Sequence, residues 1–400
     1  MSNHHGLGHD SDYSFDLDID RTKTASLKYD GRQNMFGKAE VIPLWVADMD
    51  FPVPPAVIQA LTERAMHPVY GYTLYPESLY ESLINWLKQH HGWREVRREW
   101  VMMCPGIVPS LHAAALAFAK PGESVIVQPP VYYPFFSAVT STGRNLVQNP
   151  LCSENGRYAI DFDHLEQCAA GARMLFLCSP HNPVGRVWSK LELERIIHIA
   201  KKYNLVIFSD EIHADLVYAE NKHHILATLA EDSSNTITAV APSKTFNIPG
   251  LNLSALIVPD EKRRISITHA FEFLNVSAAN PFSIVAFEAA YRDGKSWLTA
   301  LLAYLQDTIG FVEKYLLTHL PKIQLTKPEG TYLLWLDCRK FGINDAQLKH
   351  FFVHEAGVGM SPGTLFGEGG KGFMRMNIGT PRHIIATALE NIRRASLLSR

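Results

Sequence analysis

"TITAVAPSKTFNIPG", residues 236–250, decides the fold. Its opening, "TITAVAP", is an unbroken apolar and β-branched run, the pattern of a strand buried on both faces. Lys244 then stands between Ser243 and Thr245, just ahead of a Pro249-Gly250 break. A lysine commonly lies on a solvated face, with its stem on the surface and its charge in water. A lysine closing a buried strand faces a crevice instead. There burial lowers its pKa and turns its amine into a nucleophile. This stretch alone leaves both readings open.

Runs of the same kind lie on either side. They are "SVIVQPP" (124–130), the weaker "NLVQNPL" (145–151), "RMLFLCSP" (173–180), "NLVIFSDE" (204–211) and "SALIVPD" (254–260). Helix-like stretches separate them. In "KLELERIIHIAKKYN" (190–204), for example, Leu191, Leu193, Ile196, Ile197 and Ile199 are apolar with charges between. Short buried strands alternating with helices predict a mostly parallel α/β sheet. In such sheets ligands gather where strands end. After "MLFLC" comes Ser179-Pro180-His181-Asn182-Pro183-Val184-Gly185. After "LVIF" comes Ser209-Asp210-Glu211-Ile212-His213, and after "TITAV" comes Ala241-Pro242-Ser243-Lys244. Amide, carboxylate and lysine can thus converge on one small ligand. "CPGIVPSLHAAALAFAKPGE" (104–123) adds a glycine turn and an Ala/Leu-rich helix. The N–H groups at its amino end, near Gly106, Ile107 and Val108, suit an anion such as phosphate.

The C-terminal third changes character. "TALLAYLQDTIGFVEKYLLTHL" is a long amphipathic helix, and "GTYLLWLDC" and "KGFMRMNIG" are strand-like. These predict a second, smaller α+β domain. The N-terminal 55 residues or so, with little pattern of their own, are expected to pack with it. The expected division is a large domain over 56–298 and a small one made of 1–55 and 299–400.

A net charge of −2, from 38 basic and 40 acidic residues without a basic block, argues against a nucleic-acid partner. Cys104, Cys152, Cys168, Cys178 and Cys338 form no CxxC pair, which is reduced, cytoplasmic usage. The polar start of the chain lacks a signal-peptide core, and no run of 18 apolar residues predicts a membrane span. His4, His5 and His9 read as a frayed terminus rather than a metal site. No metal is expected.

At this point the residues resemble the fold-type I pyridoxal-5′-phosphate (PLP) enzymes, the aspartate-aminotransferase-like superfamily. Four marks stand in the order of that superfamily: Asn182-Pro183-x-Gly185, Asp210-Glu211-x-His213, Ser243-Lys244-Thr245-Phe246 and Arg375. The "PLWVADMDF" of residues 43–51, the "YGYT" of 70–73 and "APSKTFNIPG" resemble a narrower group, the MalY/PatB branch of cystathionine β-lyases or C–S lyases.

The resemblance implies a role for each residue. Lys244 would carry PLP and, once freed by substrate, remove the Cα proton. Asp210 would pair with the pyridine nitrogen, against the alternative of a helix N-cap. His213 would support Asp210 or pack at the ring edge, against the alternative of a core histidine. Asn182 would bond the ring's phenolic oxygen, and Tyr132 would stack on the ring face, with Tyr133 as its neighbour. Ile107 and Val108 N–H groups and the Ser243 hydroxyl would take the phosphate. Tyr72 would reach the phosphate of a neighbouring subunit, which implies a homodimer. Arg375 would clamp the substrate α-carboxylate, a fit for a guanidinium fork, with the backbone at Val46 and Ala47 close by. Trp45, Asp48 and Asp50 receive no role. One departure stands out. Asn252 occupies the position, eight residues beyond the lysine, where aminotransferases commonly carry a phosphate-binding arginine.

The activity implied is β-elimination from a cysteine thioether such as L-cystathionine, giving thiol, pyruvate and ammonia. The alternative is transamination of an L-amino acid, which shares the first proton removal. No second arginine marks a pocket for a dicarboxylic substrate. A third possibility is a PLP-fold protein that acts mainly by binding a partner. The presence of both Lys244 and Asp210 argues against it.

Overall fold

In the computed structural model, residues 13–154, 156–276 and 280–398 are described. His4, His5 and His9 lie outside them. The Thr236–Val240 strand lies near the middle of a seven-stranded sheet. The strand order is Val101–Cys104, Ser254–Ile257, Thr236–Val240, Val206–Asp210, Ala172–Cys178, Ser124–Val127, Asn145–Gln148. Pairing is parallel except at Ser254–Ile257, which is antiparallel to both neighbours. The connection through Lys244, residues 241–253, carries only the short helical pieces Pro242–Thr245 and Pro249–Leu251 in place of a crossover helix, and the chain turns back on itself there.

The crossovers carry clear sequence reasons for being helical. Lys190–Tyr203 opens with a capping box, in which the Ser189 side chain and Glu192 each bond the other's backbone. Leu193, Ile196, Ile199 and Ala200 form its buried stripe, and left-handed Asn204 ends it. Ile107–Phe118 follows Gly106, whose φ of 114° and ψ of 164° suit glycine almost alone.

Register then sets the site. Cys178, Asp210 and Ala239 are successive partners across three parallel strands. The residues just beyond them therefore leave the same edge of the sheet at the same level.

A second, five-stranded sheet runs Ile42–Leu44, Val358–Pro362, Phe373–Asn377, Leu333–Asp337, Gln324–Thr326. Its edge strand comes from the N-terminal part of the chain and pairs in parallel with Val358–Pro362. The Lys295–His319 helix contributes Leu301, Leu305, Val312 and Leu316 to an apolar core that includes residues of both sheets. No helix among the described residues is long and apolar enough to cross a membrane.

Candidate active site

The strand ends open into a cavity of about 400 Å³. Ala47, Ile107, Val108, Tyr132, Asn182, Asp210, His213, Ser243 and Lys244 all line it. Arg375 joins them through Asn182, to whose Oδ1 its Nη1 donates at 3.1 Å. Tyr72 does not. It lies fully exposed between the helices Pro55–Met66 and Glu77–His90.

Lys244 sits on the short turn Pro242–Thr245 that ends the central strand. Two neighbours anchor this turn. Phe246 is wholly buried against Trp86, Tyr291 and Trp297. Thr245 Oγ1 donates to Asp215 at 2.7 Å, and Asp215 also accepts from His91 and Trp86. Lys244 Nζ donates to the Ala47 carbonyl at 2.7 Å. Burial lowers its pKa to about 8; Asp48 and Asp210 oppose that shift and Arg375 adds to it. The crevice reading of this lysine therefore holds, and the surface reading does not.

Asp210 closes its strand almost fully buried. The Ile212 N–H donates to it at 3.2 Å. Burial raises its pKa to about 7, the response of a carboxylate without a cation close enough to offset its desolvation. His213 is buried, with its ring edge-on to Tyr332. Its Nδ1 has no partner among the described residues, and burial takes its pKa down to about 3. No hydrogen bond joins it to Asp210, so this histidine is a neutral group at the cavity wall.

Arg375 lies on Phe373–Asn377, between Trp335 and Ser361 of the adjoining strands. It is buried over the Phe366 ring. Its Nη2 donates to the Trp45 carbonyl at 2.7 Å and to Ser361 Oγ at 3.3 Å, while its Nε has no partner. No carboxylate pairs with it among the described residues, and burial lowers its pKa to about 10. A buried guanidinium with an open donor fits an incoming carboxylate. Arg375 can only donate, so Asn182 presents Oδ1 to it and keeps its Nδ2 donor for the cavity.

These groups match the chemistry of PLP. Asp210 suits a protonated ring nitrogen, Asn182 Nδ2 a phenolic oxygen, and Lys244 an aldehyde carbon. Gly106 leaves the first turn of Ile107–Phe118 open toward a phosphate, and Ser243 lines the same cavity. Asn252 also lines the cavity, in a left-handed conformation at φ 49°. Among the described residues that line the cavity the only cation is Lys244, which leaves neutral donors and the helix dipole for the phosphate.

Tyr332, Asp215 and the Trp45 carbonyl were missed by reading side-chain types, whereas the Ala47 backbone was expected near the site and its carbonyl accepts from Lys244 and Tyr332. Tyr332 donates to the Ala47 carbonyl at 2.8 Å, although "GTYLLWLDC" signals only a strand. The backbone carbonyls of Trp45 and Ala47 carry no residue-type signature, but the "PLWVADMDF" stretch around them pointed to this segment. Asp215, two residues beyond His213, is the buried acceptor behind the lysine turn.

The chain matches the family "Aminotransferase class I and II" over residues 39–392. It is 39% identical to cystathionine β-lyase PatB of Bacillus subtilis over 384 residues, 95% of this chain and 98% of that one. It is 30% identical to Protein MalY of Escherichia coli, over 92% of this chain and 95% of that one. The crystal structure of cystalysin from Treponema denticola, which contains PLP, superposes with a TM-score of 0.94 at 34% identity, covering 97% of this chain and 100% of that one. A partly buried lysine just beyond a strand end, facing a carboxylate and an anion cradle, thus sits in a chain that belongs to the aminotransferase class I and II family of PLP-dependent enzymes.

Proposed function

We propose that this enzyme catalyses β-elimination from cysteine thioethers, releasing a thiol, pyruvate and ammonia. The observation that carries this reading is the 39% identity, over 95% of the chain, to a cystathionine β-lyase. PLP, when bound, supplies an electron sink for the charge left at the substrate Cα.

The chain's own groups do the rest. The Arg375 guanidinium, with its Nε open, receives the α-carboxylate. Lys244 holds the cofactor and then takes the Cα proton on Nζ. Its lowered pKa suits an amine that must be neutral near physiological pH. Asp210 would pair with the ring nitrogen, which would return its carboxyl to the charged form. Asn182 would donate to the phenolic oxygen, Tyr132 would cover the ring face and His213 would stand at its edge. Ile107, Val108 and Ser243 would take the phosphate. Among the described residues that line the cavity there is no arginine to select a second anionic group on the remote part of the substrate.

The functional unit we propose is a homodimer in which Tyr72 completes the neighbouring phosphate site. Its full exposure, beside exposed Met66, Val69, Tyr70 and Leu74, supports this. We also propose two domains divided near residues 55 and 299. The two separate sheets support that division. A cytoplasmic location is proposed because Cys104, Cys152, Cys168, Cys178 and Cys338 are all free thiols.

The test is purified protein with PLP and L-cystathionine and no keto acid, following pyruvate and free thiol together. Both products are expected, and neither from Lys244→Ala. Amino-group transfer that starts only when a keto acid is added would replace the lyase reading with transamination.

A further inference from the structure

Residues 45–51 hold both catalytic side chains by their backbone. The Trp45 carbonyl accepts from Arg375, and the Ala47 carbonyl accepts from Lys244. Beyond the strand Ile42–Leu44 this segment has no regular structure, so side chains must fix it. Two amides do so from the catalytic side. Asn247 bonds Met49 and Phe51, and Asn377 bonds the Asp48 carbonyl. They stand three residues after Lys244 and two after Arg375.

The other side is ionic. Lys28 is 0% exposed and its Nζ lies 2.8 Å from Asp50 Oδ2. Arg21 bridges both carboxylates, at 2.6 Å to Asp50 and 2.8 Å to Asp48. A wholly buried lysine is rare, and a buried ion pair gives little stability that packed apolar groups would not give. What it does give is one register.

We propose that Arg21, Lys28, Asp48 and Asp50 are positioning residues, an ionic clasp that fixes residues 45–51 and so holds the Ala47 carbonyl on Lys244. An amine that donates to this carbonyl has its lone pair directed away from it. The groups facing Lys244 come from three elements: Asp48 from the clasped segment, Asp210 from the sheet edge and Arg375 from the second sheet. Tyr332, next to the second sheet, shares the Ala47 carbonyl. Asp48 favours the protonated amine. Loss of its charge therefore lowers the proton affinity of Lys244, whereas a purely structural contact would leave it unchanged.

This inference rests on Lys244 as the residue that captures PLP. The first experiment follows PLP uptake by the cofactor-stripped full-length chain against pH, by absorbance. Only the neutral amine adds to the PLP aldehyde carbon, with loss of water. In Asp48→Asn the half-maximal pH should fall by about half to one unit. The second experiment measures turnover of L-cystathionine by Arg21→Gln, whose side chain is 22% exposed and so tolerates change if Asp48→Asn does not fold. Its kcat should drop about tenfold with KM within about twofold. Arg21→Lys, which keeps the charge and can hold one of the two ion pairs, should recover part of the loss. Wild-type uptake profiles and wild-type kcat, with only a lower melting temperature, would overturn the proposal. A wild-type chain that takes up PLP yet makes no pyruvate sinks the lyase reading and leaves the uptake test standing.

Discussion

Asp210 carries a carboxylate to a place where its charge is costly. Burial raises its pKa from 3.8 to about 7, so the cofactor-free native chain holds a proton that the unfolded chain releases. The stability this proton provides is complete below pH 3.8 and is lost as pH rises to about 7. Lys244 has the opposite sign. Its pKa falls from 10.5 to about 8, so the related stability is present above 10.5 and lost as pH drops through 8. Near neutral pH both penalties act together, and PLP relieves both. Asp210→Asn should therefore make the cofactor-stripped chain more stable at pH 8, by on the order of 3 kcal/mol, with the gain vanishing toward pH 4. Addition of PLP should reverse the order, because an amide cannot meet the ring nitrogen as an anion. Thermal melts of both chains at several pH values, with and without PLP, decide this. Equal melting temperatures for the stripped proteins at every pH would remove Asp210 as a strained, cofactor-dedicated carboxylate.

The elements matter because each presents a chemical group from its end. Gly106 ends the approach to Ile107–Phe118 in a conformation that strains other residues, although a Cβ there would meet nothing closer than Pro109 Cδ at 3.7 Å. Gly106→Ala is thus a backbone test free of crowding. A strain of about 1–3 kcal/mol should turn the first N–H groups away from the phosphate and weaken PLP binding about tenfold, measured by equilibrium titration of the stripped protein. Wild-type affinity would mean that the helix start does not carry the phosphate. The same level explains what the sequence could tell. Asn182, Asp210 and Lys244 were legible because uninterrupted apolar runs announce buried strands, and polar residues at or just beyond the end of such a run have few other places to go. The reversal of Ser254–Ile257 was not legible. A strand buried on both faces has the same composition in either direction, and the lack of a crossover helix in residues 241–253 shows only in the structure. Arg21 and Lys28 were equally hidden. Cations in a polar N-terminal stretch look solvated until the fold brings Asp48 and Asp50 against them.

Over the whole molecule, the cleft faces cofactor and substrate with groups from both sheets, yet Tyr72 stands apart from it with its ring fully exposed. Around it Met66, Val69, Tyr70 and Leu74 are exposed as well, an apolar cluster of the kind that marks interaction surfaces. A two-fold dimer would cover this loop and carry each Tyr72 to the other protomer's cleft. That arrangement makes a prediction that one chain alone cannot satisfy. Lys244→Ala loses the base but keeps Tyr72, and Tyr72→Ala keeps the base but loses the partner's phosphate contact. Unfolded together and refolded as an equal mixture, half of the dimers would be mixed. One of the two clefts in each mixed dimer would then combine an intact Lys244 with an intact Tyr72. Activity from that cleft should reach about a quarter of the wild-type level, above the sum of the two variants refolded separately. The gain should grow with the fraction of mixed dimers, counted by native mass spectrometry of differently tagged chains. Mixed dimers that form without any gain would confine Tyr72 to the interface. If only monomers are seen at assay concentration, the site must be complete within one chain.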